Sequence, residues 1–124
     1  MKKNLLTLFV FILLVSFTSV SIPDIIKALK TGNAHETAGY FDNTVEITVP
    51  GKSISANKQQ AEAILEEFFK NNAVKDFKVL HQSRNESSEY CIGTLSTANG
   101  IFRTTIYTKE KSGQALIQEL RFEK

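Results

Sequence analysis

The stretch that decides the fold covers residues 89–107 and reads EYCIGTLSTANGIFRTTIY. β-Branched and aromatic residues are frequent on both sides of Asn99-Gly100, and this dipeptide is typical of a two-residue turn between antiparallel strands. We therefore predict a hairpin in which Thr97 lies opposite Phe102. Because successive strand residues point to opposite faces, this register also predicts which side chains share a face of the sheet.

Three further runs extend this hairpin into a larger sheet. Matching apolar positions across the neighbouring hairpins pairs His81 with Cys91 and Phe102 with Phe122. An earlier segment, residues 43–49, alternates valine and isoleucine with threonine and glutamate and predicts a separate strand. The C-terminal half predicts an antiparallel meander of four strands, at residues 74–84, 89–97, 101–109 and 114–123.

Three segments instead repeat their apolar residues at helical spacing. Residues 22–32 predict the first helix, and Asn33 opens a second, shorter one. The longest begins after Asn57, whose spacing from Gln60 is that of a capping box, and runs to about Asn71. The order helix, helix, strand, helix and four strands predicts an α+β domain with its helices packed on one face of a curved antiparallel sheet.

One face of the predicted sheet carries most of the apolar residues and should lie under the longest helix. A pocket between this face and the helices would be lined by four polar or reactive side chains, none of them a carboxylate. These candidate ligand-binding residues are His81, Cys91, Thr104 and Gln118.

Two chemistries are open to these four residues. A histidine beside a cysteine can generate a thiolate nucleophile, so His81 as a base or Cys91 as a nucleophile would suit a small-molecule enzyme, with Gln118 polarising the substrate. The alternative is a small buried Cys91, a histidine bonded to backbone, and polar groups that bond locally or face a hydrated pocket. Without an acid or base, a non-catalytic binding or protein-interaction domain is favoured, holding a small apolar ligand. No cofactor or metal ion is expected, because the two histidines are too far apart in sequence for metal-ligand spacing.

The opposite face combines two tyrosines and two isoleucines with arginine and glutamate. Such a mixture is typical of an interface, although a solvated surface of salt bridges is the alternative. We predict that this face forms a homodimer. The candidate interface residues are Tyr90, Ile92, Arg103, Tyr107, Ile117, Glu119 and Arg121.

The first 21 residues have the layout of a secretory signal peptide. Lys2 and Lys3 precede the apolar run of residues 5–15, and Ser19 and Ser21 supply small residues at the third and first positions before a cut. Cleavage is therefore expected after Ser21, giving a periplasmic or secreted product that is not stably inserted in a membrane. The alternative is an uncleaved anchor, but the run is shorter than the roughly 20 apolar residues that span a bilayer.

The remaining residues, 22–124, are the length of one domain. Cleavage removes two of the fifteen basic residues of the chain and leaves 13 basic against 13 acidic groups. An electrically neutral domain argues against a nucleic-acid partner, whose phosphates call for a basic face. The single cysteine, Cys91, cannot form a disulfide within the chain.

Five strings are distributed along the chain: FDNTVEITVPG (41–51), QAEAIL (60–65), IGTL (92–95), FRT (102–104) and LIQELRFEK (116–124). These strings resemble a family of small exported bacterial proteins of undefined function, and the order of elements resembles the nuclear transport factor two-like (cystatin-like) superfold. The resemblance implies a cone-shaped domain with a cavity between sheet and helices, which often dimerises through the outer face of its sheet. It also implies that enzymes of this superfold place an aspartate, or a histidine and aspartate, inside the cone, and the predicted inner face carries no carboxylate.

Overall fold

The computed structural model describes residues 21–124, which form three helices and six strands. The helices are α1 (Ile22–Lys30), α2 (Ala34–Ala38) and α3 (Lys58–Asn71). The strands are β1 (Phe41–Val49), β2 (Lys52–Asn57), β3 (Val74–Asn85), β4 (Ser88–Thr97), β5 (Gly100–Lys111) and β6 (Gln114–Glu123).

All six strands join one sheet, in the order β2-β1-β6-β5-β4-β3. Neighbouring strands are antiparallel except β1 and β6, which run parallel. The helices cover one face, so the predicted α+β architecture is confirmed. The structure adds strand β2, which pairs with β1 after the turn at Pro50-Gly51. Its sequence, KSISAN, is short and polar, so it lacks the hydrophobic alternation that reveals a strand.

Both helix starts that rest on capping signals are confirmed. The side chain of Asn33 accepts a hydrogen bond from the backbone amide of Glu36 (2.9 Å) at the start of α2, and Asn57 and Gln60 form a capping box at the start of α3. No helix within residues 21–124 has the length and hydropathy needed to cross a membrane. The predicted signal peptide and most of its cleavage signal lie outside the described residues.

The central hairpin differs from its predicted register by two residues. Thr97 pairs with Gly100, so the turn residues are Ala98 and Asn99, and the predicted pairing of Thr97 with Phe102 is wrong. The side chain of Thr97 stabilises this turn, because its hydroxyl donates to the carbonyl oxygen of Gly100 (2.8 Å) and accepts from the amide of Asn99 (3.0 Å). A shift of two leaves every side chain on its predicted face.

A β-bulge in β3 overturns a second predicted pairing. The register shifts between Val79 and His81, which places His81 opposite Ile92 and Gln82 opposite Cys91. The predicted pair of His81 with Cys91 is therefore wrong. A bulge inserts one extra residue into one strand, and alternation of residue types does not mark its position here.

A second bulge, between Tyr107 and Thr108, changes the face of β6 residues. Thr104 pairs with Phe122, which corrects the predicted pairing of Phe102 with Phe122, and Thr108 pairs with Ile117. Ile117 is fully buried, so its predicted place on the outer face is wrong.

Phenylalanines fill the space between the sheet and α3. The ring of Phe68 stacks on Phe122 at a centroid distance of 4.7 Å and meets the edge of Phe102 at 5.1 Å. Phe69 also meets Phe122, in an edge contact with a centroid distance of 6.1 Å. Each of these rings is at most 7% exposed. The sheet surface beneath α3 is therefore covered by side chains of the domain itself.

Candidate binding cleft and outer sheet face

The structure places Cys91 in the core, where its chemistry is suppressed. Its side chain is fully buried, and burial, with a smaller effect of the Glu89 charge, raises the pKa of the thiol to about 11. The thiolate is the nucleophilic form, so it is scarce near neutral pH. His81 is exposed and lies opposite Ile92, so it does not activate the thiol.

The other two predicted pocket residues use their polar groups within the protein. Thr104 is fully buried, and its hydroxyl donates to the carbonyl oxygen of Phe102 at 3.3 Å. Gln118 is half-buried, and its amide donates to Asp42 (2.8 Å) and to the carbonyl oxygen of Leu116 (3.2 Å). His81, Cys91, Thr104 and Gln118 are therefore not brought together around one space.

Asp42 is a buried carboxylate that the sequence analysis does not single out. It accepts hydrogen bonds from the Lys111 ammonium (2.6 Å), the Gln118 amide (2.8 Å) and the backbone amide of Asn43 (2.7 Å). These donors, led by Lys111, lower the pKa of Asp42 to about 2. Its partners come from the far end of the chain, so no local motif marks it. With its oxygens occupied by donors of the domain, the carboxylate serves to tie β1 to the last hairpin.

The Asp42 cluster predicts acid sensitivity. The pKa of this group is lower in the folded chain than its ordinary 3.8, so the stabilisation is fully present above about pH 4 and is lost as the pH falls toward 2. We expect Asp42→Asn to reduce the free energy of unfolding at pH 7 by about 1 to 2 kcal/mol, and by much less at pH 2. Urea denaturation at pH 7, 4 and 2 measures both effects. The exposed carboxylate variant Asp76→Asn is the control, and equal losses for Asp42→Asn at every pH would contradict the prediction.

An open cleft of about 450 Å³ lies at one end of the domain, under the turn between β1 and β2. We call it the hairpin cleft. Its apolar lining comes from Val49, Ile64, Phe68 and Phe102, which belong to β1, α3 and β5. Val49 and Ile64 are half-buried and give the cleft an accessible apolar wall, while the two phenylalanines are nearly covered. Sequence analysis missed this site because its parts are distant in sequence and none carries a motif.

The rim of the hairpin cleft is polar. Lys52, Glu67, Asn71 and Lys124 lie around it, and each is exposed. The ammonium of Lys124 is held in place, because it donates to the carbonyl oxygen of Asn99 (3.0 Å) and lies 5.2 Å from the ring centroid of Phe102. An apolar wall with a few polar groups at its edge is the usual make-up of a small-molecule site.

The outer sheet face presents a pair of stacked tyrosines. The rings of Tyr90 and Tyr107 lie 4.5 Å apart between centroids, with an angle of 26° between their planes, and Tyr90 is 45% exposed. Six of the seven predicted interface residues alternate with buried ones and so lie on this face, with Ile117 the exception. The six are Tyr90, Ile92, Arg103, Tyr107, Glu119 and Arg121.

The outer face carries charges of both signs. Arg121 forms salt bridges with Glu119 and Glu123 of its own strand, which leaves β6 with an excess of negative charge. Arg103 on β5 lies opposite Glu123 and next to Thr94, and Lys78 on β3 lies on the other side of Thr94. The tyrosine pair thus shares this surface with acidic and basic side chains.

Comparison with known proteins identifies relatives that share this fold. Residues 22–123 match DUF4783, a domain of unknown function. A DUF4783 family protein from Bacteroides ovatus is 38% identical, with a TM-score of 0.78 over 82% of this chain and 92% of that chain. One from Bacteroides uniformis is 34% identical, with a TM-score of 0.79 over 82% of this chain and 94% of that chain.

More distant structures show the fold alone. An NTF2-like protein of unknown function from Cytophaga hutchinsonii is 13% identical, with a TM-score of 0.60 over 85% of this chain and 90% of that chain. No curated protein is similar enough to count as a match. The fold is nuclear transport factor two-like, as the order of elements implied, and the chain belongs to the DUF4783 family of unknown function.

Proposed function

We propose that this protein is an exported, non-catalytic binding domain that holds a small apolar molecule in the hairpin cleft. The observation that carries the proposal is the partly accessible apolar wall of Val49 and Ile64 beside a polar rim, at an end of the domain that its own side chains leave open. The buried, high-pKa thiol of Cys91 and its separation from His81 favour binding over nucleophilic catalysis. Export rests on the signal-peptide pattern of residues 1–21.

Filling the cleft tests the proposal. We expect the fluorescence of N-phenyl-1-naphthylamine, an uncharged apolar probe, to rise on addition of the protein, and we expect Ile64→Trp to weaken probe binding about 10-fold or more. The larger ring would occupy the space beside Phe68. The matched control is Ile101→Trp, which adds the same ring at an exposed position outside the cleft lining. Absent binding, or equal binding by Ile64→Trp and the wild type, would reject the cleft as the site.

A second proposal concerns assembly: two copies pair through the outer sheet face. The face presents the stacked tyrosines together with glutamates on β6 and with Arg103 and Lys78 on β5 and β3, so two copies related by a two-fold axis can bring unlike charges together in an isologous contact. Tyrosine and arginine are also the residue types that interfaces favour. Arg121 is already bonded to Glu119 within its own chain, which leaves Arg103 as the arginine for the cross-chain contact.

A further inference from the structure

The rim of the hairpin cleft carries more positive than negative side-chain charge. Lys52 and Lys124 contribute two ammonium groups, and Glu67 contributes one carboxylate. Within residues 21–124 none of these three takes part in a salt bridge, so both ammonium groups remain available to an anionic partner.

The two lysines are not equivalent. Lys124 is fixed beside the apolar lining by its hydrogen bond to Asn99 and by its position against the Phe102 ring. A side chain that is already ordered loses less conformational freedom when it meets a ligand, so its charge contributes more to binding than that of a freely moving lysine. Lys124 is therefore better suited than Lys52 to meet the polar end of a ligand.

We propose that the ligand of the hairpin cleft is a small apolar carboxylic acid, with its hydrocarbon part against Val49 and Ile64 and its carboxylate beside Lys124. This inference rests on the proposed function, since it names the chemical class that the same cleft selects. Glu67 would oppose a second negative charge, which favours a monoanion over a dianion. Lys124 is then the residue that determines specificity.

Three eight-carbon compounds that differ only in charge test the inference: octanoate, 1-octanol and octylammonium. Each displaces N-phenyl-1-naphthylamine from the full domain at neutral pH and low salt, and the displacement gives its affinity. We expect octanoate to bind about 3- to 10-fold more tightly than 1-octanol, since partly exposed charge pairs contribute modestly. The preference should shrink in 0.5 M salt.

Variants of the fixed lysine separate charge from shape. Lys124→Met keeps the unbranched chain and should reduce the octanoate preference at least 2-fold, while the affinity for 1-octanol stays unchanged; Lys124→Arg should preserve the preference. Glu67→Gln is the control, and it should increase octanoate affinity slightly.

The outcomes distinguish this inference from the proposed function. Equal affinity for octanoate and 1-octanol, or tightest binding of octylammonium, would overturn the carboxylic acid while leaving an apolar cleft. A preference that survives in Lys124→Met would overturn the role of Lys124. If none of the three compounds displaces the probe, while the probe still binds and Ile64→Trp still weakens its binding, the carboxylic acid is also overturned. If the probe itself does not bind, the proposed function is rejected.

Discussion

Replacing Gly93 with alanine is expected to destabilise the domain by about 3 kcal/mol. Gly93 lies on the covered face of β4, and an added Cβ would come within 2.5 Å of the backbone carbonyl oxygen of Lys78 and 2.6 Å of Phe77 Cζ. The carbonyl belongs to the neighbouring strand, so relief of the contact requires β3 itself to move. Thermal unfolding should show a melting temperature lower by more than about 10 °C.

Gly113→Ala is the matched control for this substitution. Gly113 has a φ of +78° but nothing within 4 Å of an added Cβ, so alanine there suffers only the backbone cost of about 1 to 2 kcal/mol. When Phe77→Leu is combined with Gly93→Ala, part of the lost stability should be recovered, because leucine shortens one of the two groups that clash with the added Cβ. Similar losses for Gly93→Ala and Gly113→Ala would show that the strands accommodate the extra carbon.

Tyr107→Glu is expected to convert the proposed homodimer to a monomer, with a dissociation constant raised about 100-fold or more. The substitution removes one ring of the tyrosine stack and places a charge at the centre of the contact, where desolvation of an unpaired charge is costly. Light scattering after size-exclusion chromatography at micromolar concentration measures the change. Circular dichroism confirms that the variant remains folded.

Two controls accompany this prediction. Tyr107→Phe keeps the ring and should remain dimeric, and so should Leu80→Glu, which places the same charge at an apolar position, 62% exposed, in the β3 bulge. A wild-type protein that is monomeric throughout would refute the dimer. A dimer that persists in Tyr107→Glu would mean that the copies pair through another face.

Local signals account for the parts of the fold that the sequence predicts well. The capping signals at Asn33 and Asn57 involve residues only three positions apart, so they can be recognised without knowledge of the rest of the chain. The same holds for the four C-terminal strands, whose turns carry their own residue preferences. Strand β2 was not predicted because it lies at the edge of the sheet, where polar side chains are tolerated and no apolar pattern marks the strand.

The parts of the fold and of the candidate site that the sequence does not predict depend on contacts between residues far apart in the chain. The bulges at Val79 and Tyr107 depend on how two strands fit together, and each changed the surroundings of a candidate residue, His81 in one case and Ile117 in the other. The hairpin cleft likewise brings together Val49 and Phe102, which belong to different halves of the domain sequence. The spacing of residues within a single strand contains no information about contacts with other strands or helices.

The position of β6 in the sheet also bears on how the chain folds. β6 lies between β1 and β5, and its parallel contact pairs Phe41 with Ile117, which are far apart in sequence. The β1–β2 hairpin is therefore joined to the rest of the sheet only through β6. Contacts of such high sequence separation slow folding, because a long loop must close before they form. Deletion of β6 would remove the only link between the two parts of the sheet within residues 21–124, so the β1–β2 hairpin would no longer belong to it.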